Sequence, residues 1–314
     1  MMQNLPHPAQ PLKIGTRGSP LALWQAHEVR RSLMVAFDLP EAAFEICVIK
    51  VMGDQILDKA LKDIGGKGLF TREIEEALLD GSIDIAVHSM KDMPTVQPAG
   101  LILDCYLARE DVRDAFVSPS VARLADLPHG ATVGSSSLRR RAQLRLRRPD
   151  LHLVEFRGNV QTRMKKLQEG VAVATFLAMA GLNRLGMAHM ARSAIETDDM
   201  LPAVAQGAIG VERRQDDDRT AALLAAIHHI PTGLRLNAER AMLARLDGSC
   251  ETPIAGLATL DGDSLHLRGE ILRPDGSESI TGSRSGAARD AAALGTALAE
   301  ELLAKAPADF FSWR

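Results

Sequence analysis

Apolar residues along this chain follow two rhythms. Short apolar runs of strand length alternate with longer stretches in which they recur at helical spacing. Lys13 to Gly15 closes a first strand, Thr16-Arg17-Gly18-Ser19-Pro20 is a turn, and Pro20 suits the first position of a helix over Leu21 to Met34. Phe44 to Val51 reads as a second strand, and the glycine-rich stretch Gly53 to Gly68 reads as a loop, a candidate lid. A helix over Thr71 to Leu79 leads into a strand whose apolar residues are Ile83, Ile85 and Val87. That strand breaks up in Ala86-Val87-His88-Ser89-Met90-Lys91-Asp92-Met93-Pro94, where Pro94 stops regular structure. The β-α-β-α order predicts an α/β fold, a parallel sheet with helices on both faces.

A second unit of the same style begins near Asp111, with strands at Ala131 to Gly134 and Leu151 to Phe156 and helices at Leu138 to Leu146 and Val160 to Gln168. Leu201 to Val211 reads as a strand that returns the chain to the first domain. From about Ala225 the style changes. A helix over Leu236 to Leu246, strands around Ala255 to Leu260 and Ser264 to Leu272, a Pro274-Asp275-Gly276 turn and an alanine-rich helix over Ala287 to Lys305 form a small C-terminal α/β domain. The expected domains are 11–107 with 207–225, 111–203, and 228–314.

Composition narrows the function. At 314 residues the chain is too long for one typical domain. Its net charge of −3 and aromatic content of 4% give neither a basic field nor a stacking platform for nucleic acid. No apolar run reaches membrane-spanning length, and Met1 to Pro11 has no secretory pattern. The three cysteines are too few and too scattered for a disulfide framework or a zinc site, so a reducing, cytoplasmic setting and no metal are expected. Cys47 and Cys105 sit in strand-like apolar settings and read as packing residues.

The candidate chemistry lies where strands end, since ligands of open α/β sheets sit beyond the carboxyl ends of strands. Ser89, Lys91 and Asp92 would face a cleft there. Gly134-Ser135-Ser136-Ser137-Leu138-Arg139-Arg140-Arg141 follows a strand and opens a helix, whose N–H groups favour an anion. Arginines in a first helical turn oppose the helix dipole, and a bound polyanion would explain them. Arg157-Gly158-Asn159 ends the next strand, Arg163 follows, and Arg17 ends the first strand of the other domain. Guanidinium groups bind carboxylate or phosphate through paired hydrogen bonds. Gly65-Gly66-Lys67-Gly68 lacks phosphate-loop spacing, which disfavours a nucleotide. Asp247-Gly248-Ser249-Cys250-Glu251 sets a thiol in a tight turn, either as an accessible nucleophile or as a buried structural cysteine.

Taken together, Thr16 to Ala22, Gly65 to Phe70, Ala86 to Pro94, Gly134 to Arg140, Arg157 to Val160, Ala180-Gly181-Leu182, Leu201 to Gly210 and the Cys250 loop resemble the porphobilinogen deaminases, in family order and over nearly the whole chain. The resemblance implies three α/β domains, two like type II periplasmic binding protein lobes around a cleft and a small third one. On the third, Cys250 carries a covalent dipyrromethane cofactor. It implies head-to-tail joining of four porphobilinogen molecules with loss of ammonia, then hydrolysis to the linear hydroxymethylbilane, by a cytoplasmic, monomeric transferase. It makes Asp92 the catalytic carboxylate, as proton shuttle or as stabiliser of the cationic pyrroles. It assigns Ser89, Lys91, Asp92, Ser135, Ser136, Ser137, Arg139, Arg140 and Gly158 to the cofactor, and Arg17, Ser19, Arg157, Arg163 and Arg184 to the substrate. Two departures stand out: Ser249 where relatives often have glycine, and Asp63 where some have a loop lysine. A non-catalytic anion receptor with the same two lobes is the rival reading, and it would have no use for Cys250 or a third domain.

Overall fold

A computed structural model describes residues 5–52, 71–246 and 252–313. Two compact units arise, Met1–Glu110 with Ala208–Gly233, and Asp111–Gly207 with Leu234–Arg314.

The first unit is built on β1 (Leu12–Arg17), β2 (Phe44–Ile49), β3 (Ile85–Ser89), β4 (Leu101–Tyr106) and a strand from far along the chain, β10 (Ile209–Arg214), in the order β2-β1-β3-β10-β4. Helix α1 (Pro20–Phe37) starts where the Ser19 hydroxyl accepts from the Ala22 N–H and Pro20 supplies the first position. Its Ala26, Val29 and Leu33 recur at helical spacing and pack on Leu12, Ile14, Ile85 and Val87. On the other face, α2 (Arg72–Leu79) lays Ile74 and Leu78 against Ile83, Ala86 and Leu101.

Helices do cover both faces, but the sheet is not parallel throughout. β1 is parallel to β2 and β3, whereas β10 runs antiparallel to β3 and β4. An apolar run carries no direction; β10 arrives from a distant part of the chain and not through a crossover helix, so nothing forces it parallel.

The second unit repeats the plan with β5 (Asp114–Val117), β6 (Thr132–Gly134), β7 (His152–Val154), β8 (Ala174–Ala178) and β9 (Ser193–Ile195), in the order β7-β6-β8-β5-β9. Here β6 is parallel to β7 and β8, and β5 is the antiparallel strand. Helices α3 (Leu138–Arg147) and α4 (Val160–Gln168) follow β6 and β7. Leu144 of α3 packs with Phe116, Val133 and Phe176 on one face, and Leu167 of α4 with Val117, Phe156 and Leu177 on the other. The same unit holds an antiparallel meander of β11 (Ile254–Asp261), β12 (Ser264–Leu272) and β13 (Ser279–Ala287), followed by a helix over Ala291–Lys305. Strands β5, β9 and β13 go beyond the sequence reading; β5 and β9 are short, and β13 is polar and mostly exposed.

The strand expected over Leu201 to Val211 begins only at Ile209. Before it, Ala205 has a left-handed backbone, φ 61°. Glu239, fully buried, holds that residue by accepting from the Ala205 N–H at 2.7 Å with one oxygen, and from the Ala258 N–H at 2.8 Å with the other. A left-handed non-glycine costs about 1–3 kcal/mol and persists only where its surroundings over-determine it. Gly53 to Gly68, with Asp63, lies outside the described residues, as do Ser249 and Cys250. Cys105 is buried, and burial pushes its thiol up to about 12, as suits packing; Cys47 is half-buried. No helix among the described residues is long and apolar enough to cross a membrane.

Candidate functional site

In the first unit the candidate residues stand at the ends of β1 and β3. Arg17 is half-buried at the end of β1, and Ser19 spends its oxygen on the cap of α1. At the end of β3, the Ser89 hydroxyl accepts from Gln25 Nε2 at 2.9 Å and donates to Gln25 Oε1 at 3.2 Å. The chain then makes one tight turn, Met90–Asp92. The Met90 N–H donates to the Ala208 carbonyl at 3.1 Å, and the Met93 N–H to the Met90 carbonyl at 3.2 Å. Met90 and Met93 are buried, so the turn presents its polar pair outward: Lys91 is half-buried and Asp92 exposed. Gly210 makes room for this, because a Cβ there would collide with the Met90 sulfur. The Asp92 carboxylate has no hydrogen-bond partner among the described residues.

In the second unit the three serines build the start of α3. Ser137 caps it, accepting from the Arg140 N–H at 3.4 Å. Ser136 accepts from the Phe156 N–H at 2.8 Å, and Ser135, buried, accepts from the Ser137 N–H at 3.3 Å.

Arg139 and Arg140 are buried, and a compensating charge lies inside the protein, so their placement at the helix start has an internal explanation beside the bound polyanion that the sequence suggested. Asp114, the first residue of β5, takes Arg139 Nη2 on one oxygen and Arg140 Nη2 on the other, both at 2.7 Å. Gln206 Nε2 adds 2.8 Å to the same carboxylate. Burial alone would raise the Asp114 carboxyl; the two guanidinium groups overcome this and hold it well below the usual carboxylate range. Burial in turn lowers Arg139, against the pull of Asp114. Arg139 Nη1 also donates to Gln143 Oε1 at 3.0 Å and to the Leu201 carbonyl at 2.8 Å, and Gln143 Nε2 reaches Glu270 at 2.6 Å. Only the Nε atoms of both arginines are buried without a partner among the described residues.

Next to them, Arg157 and Arg163 are half-buried, and Arg163 Nε donates to the Gly158 carbonyl at 2.9 Å. Gly158 has φ 118°, and a Cβ there would meet Thr162 at 2.6 Å, so glycine is required twice over. Asn159 caps α4, accepting from the Thr162 N–H at 2.9 Å. Arg184 is buried and donates to the Gly207 carbonyl at 2.7 Å.

Sequence reasoning missed Asp114, Gln143, Gln206, Glu270 and Gln25. The i,i+4 spacing of Arg139 and Gln143 was the one available signal. Asp114 lies 25 residues from Arg139, and only the pairing of strands brings it there.

Comparisons with known proteins agree along the chain. Residues 12–222 match the family model described as "Porphobilinogen deaminase, dipyromethane cofactor binding domain", and residues 234–304 match "Porphobilinogen deaminase, C-terminal domain". The chain is 71% identical over 312 residues to the porphobilinogen deaminase of Paracoccus denitrificans (strain Pd 1222), covering 99% of this chain and all of that one. Among solved structures it is similar to a putative methionine-binding lipoprotein from Bacillus subtilis (TM-score 0.43, 12% identity, 71% of this chain and 92% of that one). It is also similar to the periplasmic VFT2 domain of Bordetella pertussis BvgS (TM-score 0.42, 17% identity, 70% and 87%). At those scores the two structural likenesses carry no conclusion about this chain.

Proposed function

The chain belongs to the porphobilinogen deaminase family, and from that premise we propose that it joins four porphobilinogen molecules head to tail and releases linear hydroxymethylbilane. It is an enzyme of tetrapyrrole synthesis, and we assign it to the transferases. Each joining breaks the bond between the aminomethyl carbon and ammonia. It forms a carbon–carbon bond at the free α carbon of a neighbouring pyrrole, whose proton is released. In the last step the bond that holds the four-pyrrole chain breaks, and water gives its hydroxyl to the freed methylene carbon and a proton to the α carbon left behind.

The observation that carries this reading is the end of β3. There an exposed carboxylate, Asp92, stands on a turn whose other members are pinned by Ala208, Gly210 and Gln25. Departure of ammonia leaves positive charge on the pyrrole, and a fixed carboxylate accepting from the pyrrole N–H stabilises it. The same carboxylate can take the proton lost from the α carbon after coupling and give it to the amine that leaves in the next round. Lys91, next to the buried Met90, serves the carboxylate side chains of the pyrroles, and Ser89 serves them by exchanging its hydrogen bond to Gln25 Oε1 for one to a carboxylate.

The second unit suits a group bearing several carboxylates. Gly158 leaves its backbone open where any side chain would collide, the serines expose a capped helix start, and two buried arginine Nε donors lack partners among the described residues. Ser135, Ser136, Ser137, Arg139, Arg140 and Gly158 would hold the dipyrromethane with Cys250 as its anchor, and Arg17, Ser19, Arg157, Arg163 and Arg184 the incoming pyrroles. When bound, the dipyrromethane supplies the free pyrrole carbon at which joining starts, and it stays with the protein. In this reading the domains are 11–107 with 207–225, 111–203 and 228–314, and the chain acts as a cytoplasmic monomer. Neither described cysteine is in a disulfide, which suits a reducing compartment.

Intact mass spectrometry of the denatured chain beside Cys250→Ser tests the proposal. Extra mass equal to two linked pyrrole units in the first alone is expected. The same adduct on Cys250→Ser would move the anchor elsewhere, and no adduct on either after incubation with porphobilinogen would favour the anion receptor.

A further inference from the structure

The sheet holds β3 unevenly. β1 pairs with it only at Ile85 and Ala86, whereas β10 pairs with it from Ile85 to Ser89. Among the described residues, Val87, His88 and Ser89, which lead into the Asp92 turn, are therefore paired within the sheet on the β10 side alone.

Side chains brace this stretch on both faces. On the α1 side stands the Ser89–Gln25 pair. On the α2 side, His88 Nε2 lies 3.1 Å from Glu212 Oε2. The two are diagonal across the ladder, since His88 pairs with Gly210 and Ala86 with Glu212, and diagonal side chains are within reach of each other. The His88 side chain is 5% exposed and that of Glu212 0%.

Glu75 of α2 completes the cluster. Burial pushes its carboxyl up; Thr71 and His88 oppose this, and Glu212 adds to it. One oxygen of Glu75 and one of Glu212 are buried without a partner among the described residues. Ile74 and Leu78 from α2, Ala86 from β3 and Leu101 from β4 form the apolar packing on this face, and Arg214, two residues on from Glu212, donates to the Leu78 and Ile83 carbonyls at 2.8 Å. A buried polar pair in such packing costs more than an apolar pair of the same shape would. Stability therefore does not account for it, while its place beside the end of β3 does.

We infer that the buried His88–Glu212 pair is a positioning unit for Asp92, fixing the one-sided end of β3 so that Ser89, Lys91 and Asp92 leave the sheet at a single setting. The inference rests on the catalytic reading of Asp92. Neither residue contacts substrate in this account; both act through the strand.

A double-mutant cycle on the full chain carrying its cofactor tests it, with turnover measured for the wild type, Asp92→Asn, Glu212→Gln and the double variant. Glu212→Gln keeps an oxygen that can meet His88 but removes the charge, and it should lower kcat by about 10- to 100-fold, as expected for a displaced reacting group. KM should stay within about twofold, because binding is untouched. In the Asp92→Asn background the same substitution should change the residual rate by less than about twofold, since the group it places is already gone. An equal fold loss in both backgrounds, or a loss confined to KM, overturns the inference and marks the pair as structural. Should Glu212→Gln not fold, His88→Gln, whose amide can still reach Glu212, goes through the same cycle under the same criteria. Wild-type turnover by Asp92→Asn alone would instead sink the catalytic reading of Asp92, and the inference with it. Slow Asp92→Asn with an additive cycle would sink only the inference.

Discussion

The two five-stranded sheets share a layout of parallel and antiparallel strands, although the antiparallel strand inside each comes last in the first sheet (β10) and first in the second (β5), and in each the strand beside the edge, β1 or β6, runs into a serine-capped helix. They part company in how they treat charge. The first turn of α1 has no charged residue, and the first sheet sends a carboxylate, Asp92, out into solvent on a turn whose methionines are buried. The second draws Arg139 and Arg140 inward from the first turn of α3 and neutralises them with Asp114. Exposed charge is cheap to keep and free to act, whereas buried charge must be matched atom by atom. The same plan can therefore carry an exposed carboxylate at one strand end and a buried, internally neutralised ion cluster at the other.

The sharpest break between the two comes from Asp92→Asn against Arg139→Leu. Asp92→Asn should lower turnover by about 10²- to 10⁴-fold, the usual worth of a positioned acid–base group, with an unchanged thermal midpoint. Arg139→Leu should differ in kind, adding a loss of stability to its loss of cofactor binding. It leaves Asp114 buried with half its compensation, at a cost of about 3–5 kcal/mol in denaturant unfolding. A stable Arg139→Leu chain with a binding defect alone would show that Asp114 is not the arginine's main partner. In the wild type, the contribution of Asp114 is complete above the unfolded carboxylate value of about 3.9 and is lost only as pH falls through its depressed folded value.

Gly158→Ala comes next. Its left-handed φ and the approach of Thr162 should together cost about 1–3 kcal/mol, read by urea unfolding; no change would mean the loop can swing away. Glu75→Gln acts in the opposite sense with pH. Because the folded state holds that proton more tightly, wild-type stability falls as pH rises above the unfolded value of about 4.3, and Glu75→Gln should flatten the fall. Thermal midpoints across that range would reveal it, and parallel curves would remove Glu75 from the buried cluster. The smallest effect belongs to Asn159→Ala, a lost helix cap worth about 1 kcal/mol by the same unfolding assay.

What was legible in the sequence is local. Ser19 before Pro20, Ser137 before Leu138 and Asn159 before Val160 announce helix starts because capping is a contact between residues three apart. The break from Val87 to Pro94 announces a strand end by its change of polarity alone, and the run of matching motifs pointed to the family. The direction of β10, the late start of that strand after Ala205, and the partners of Arg139 and Arg140 were decided only by tertiary structure. Each of these rests on residues far apart in the chain: Asp114 with Arg140, Glu239 with Ala205, Glu212 with His88. Charge spacing showed that the arginines needed an anion, but it could not say whether that anion would be a ligand or an aspartate opening another strand. Coulomb attraction depends on distance through space, and only the folded sheet sets that distance.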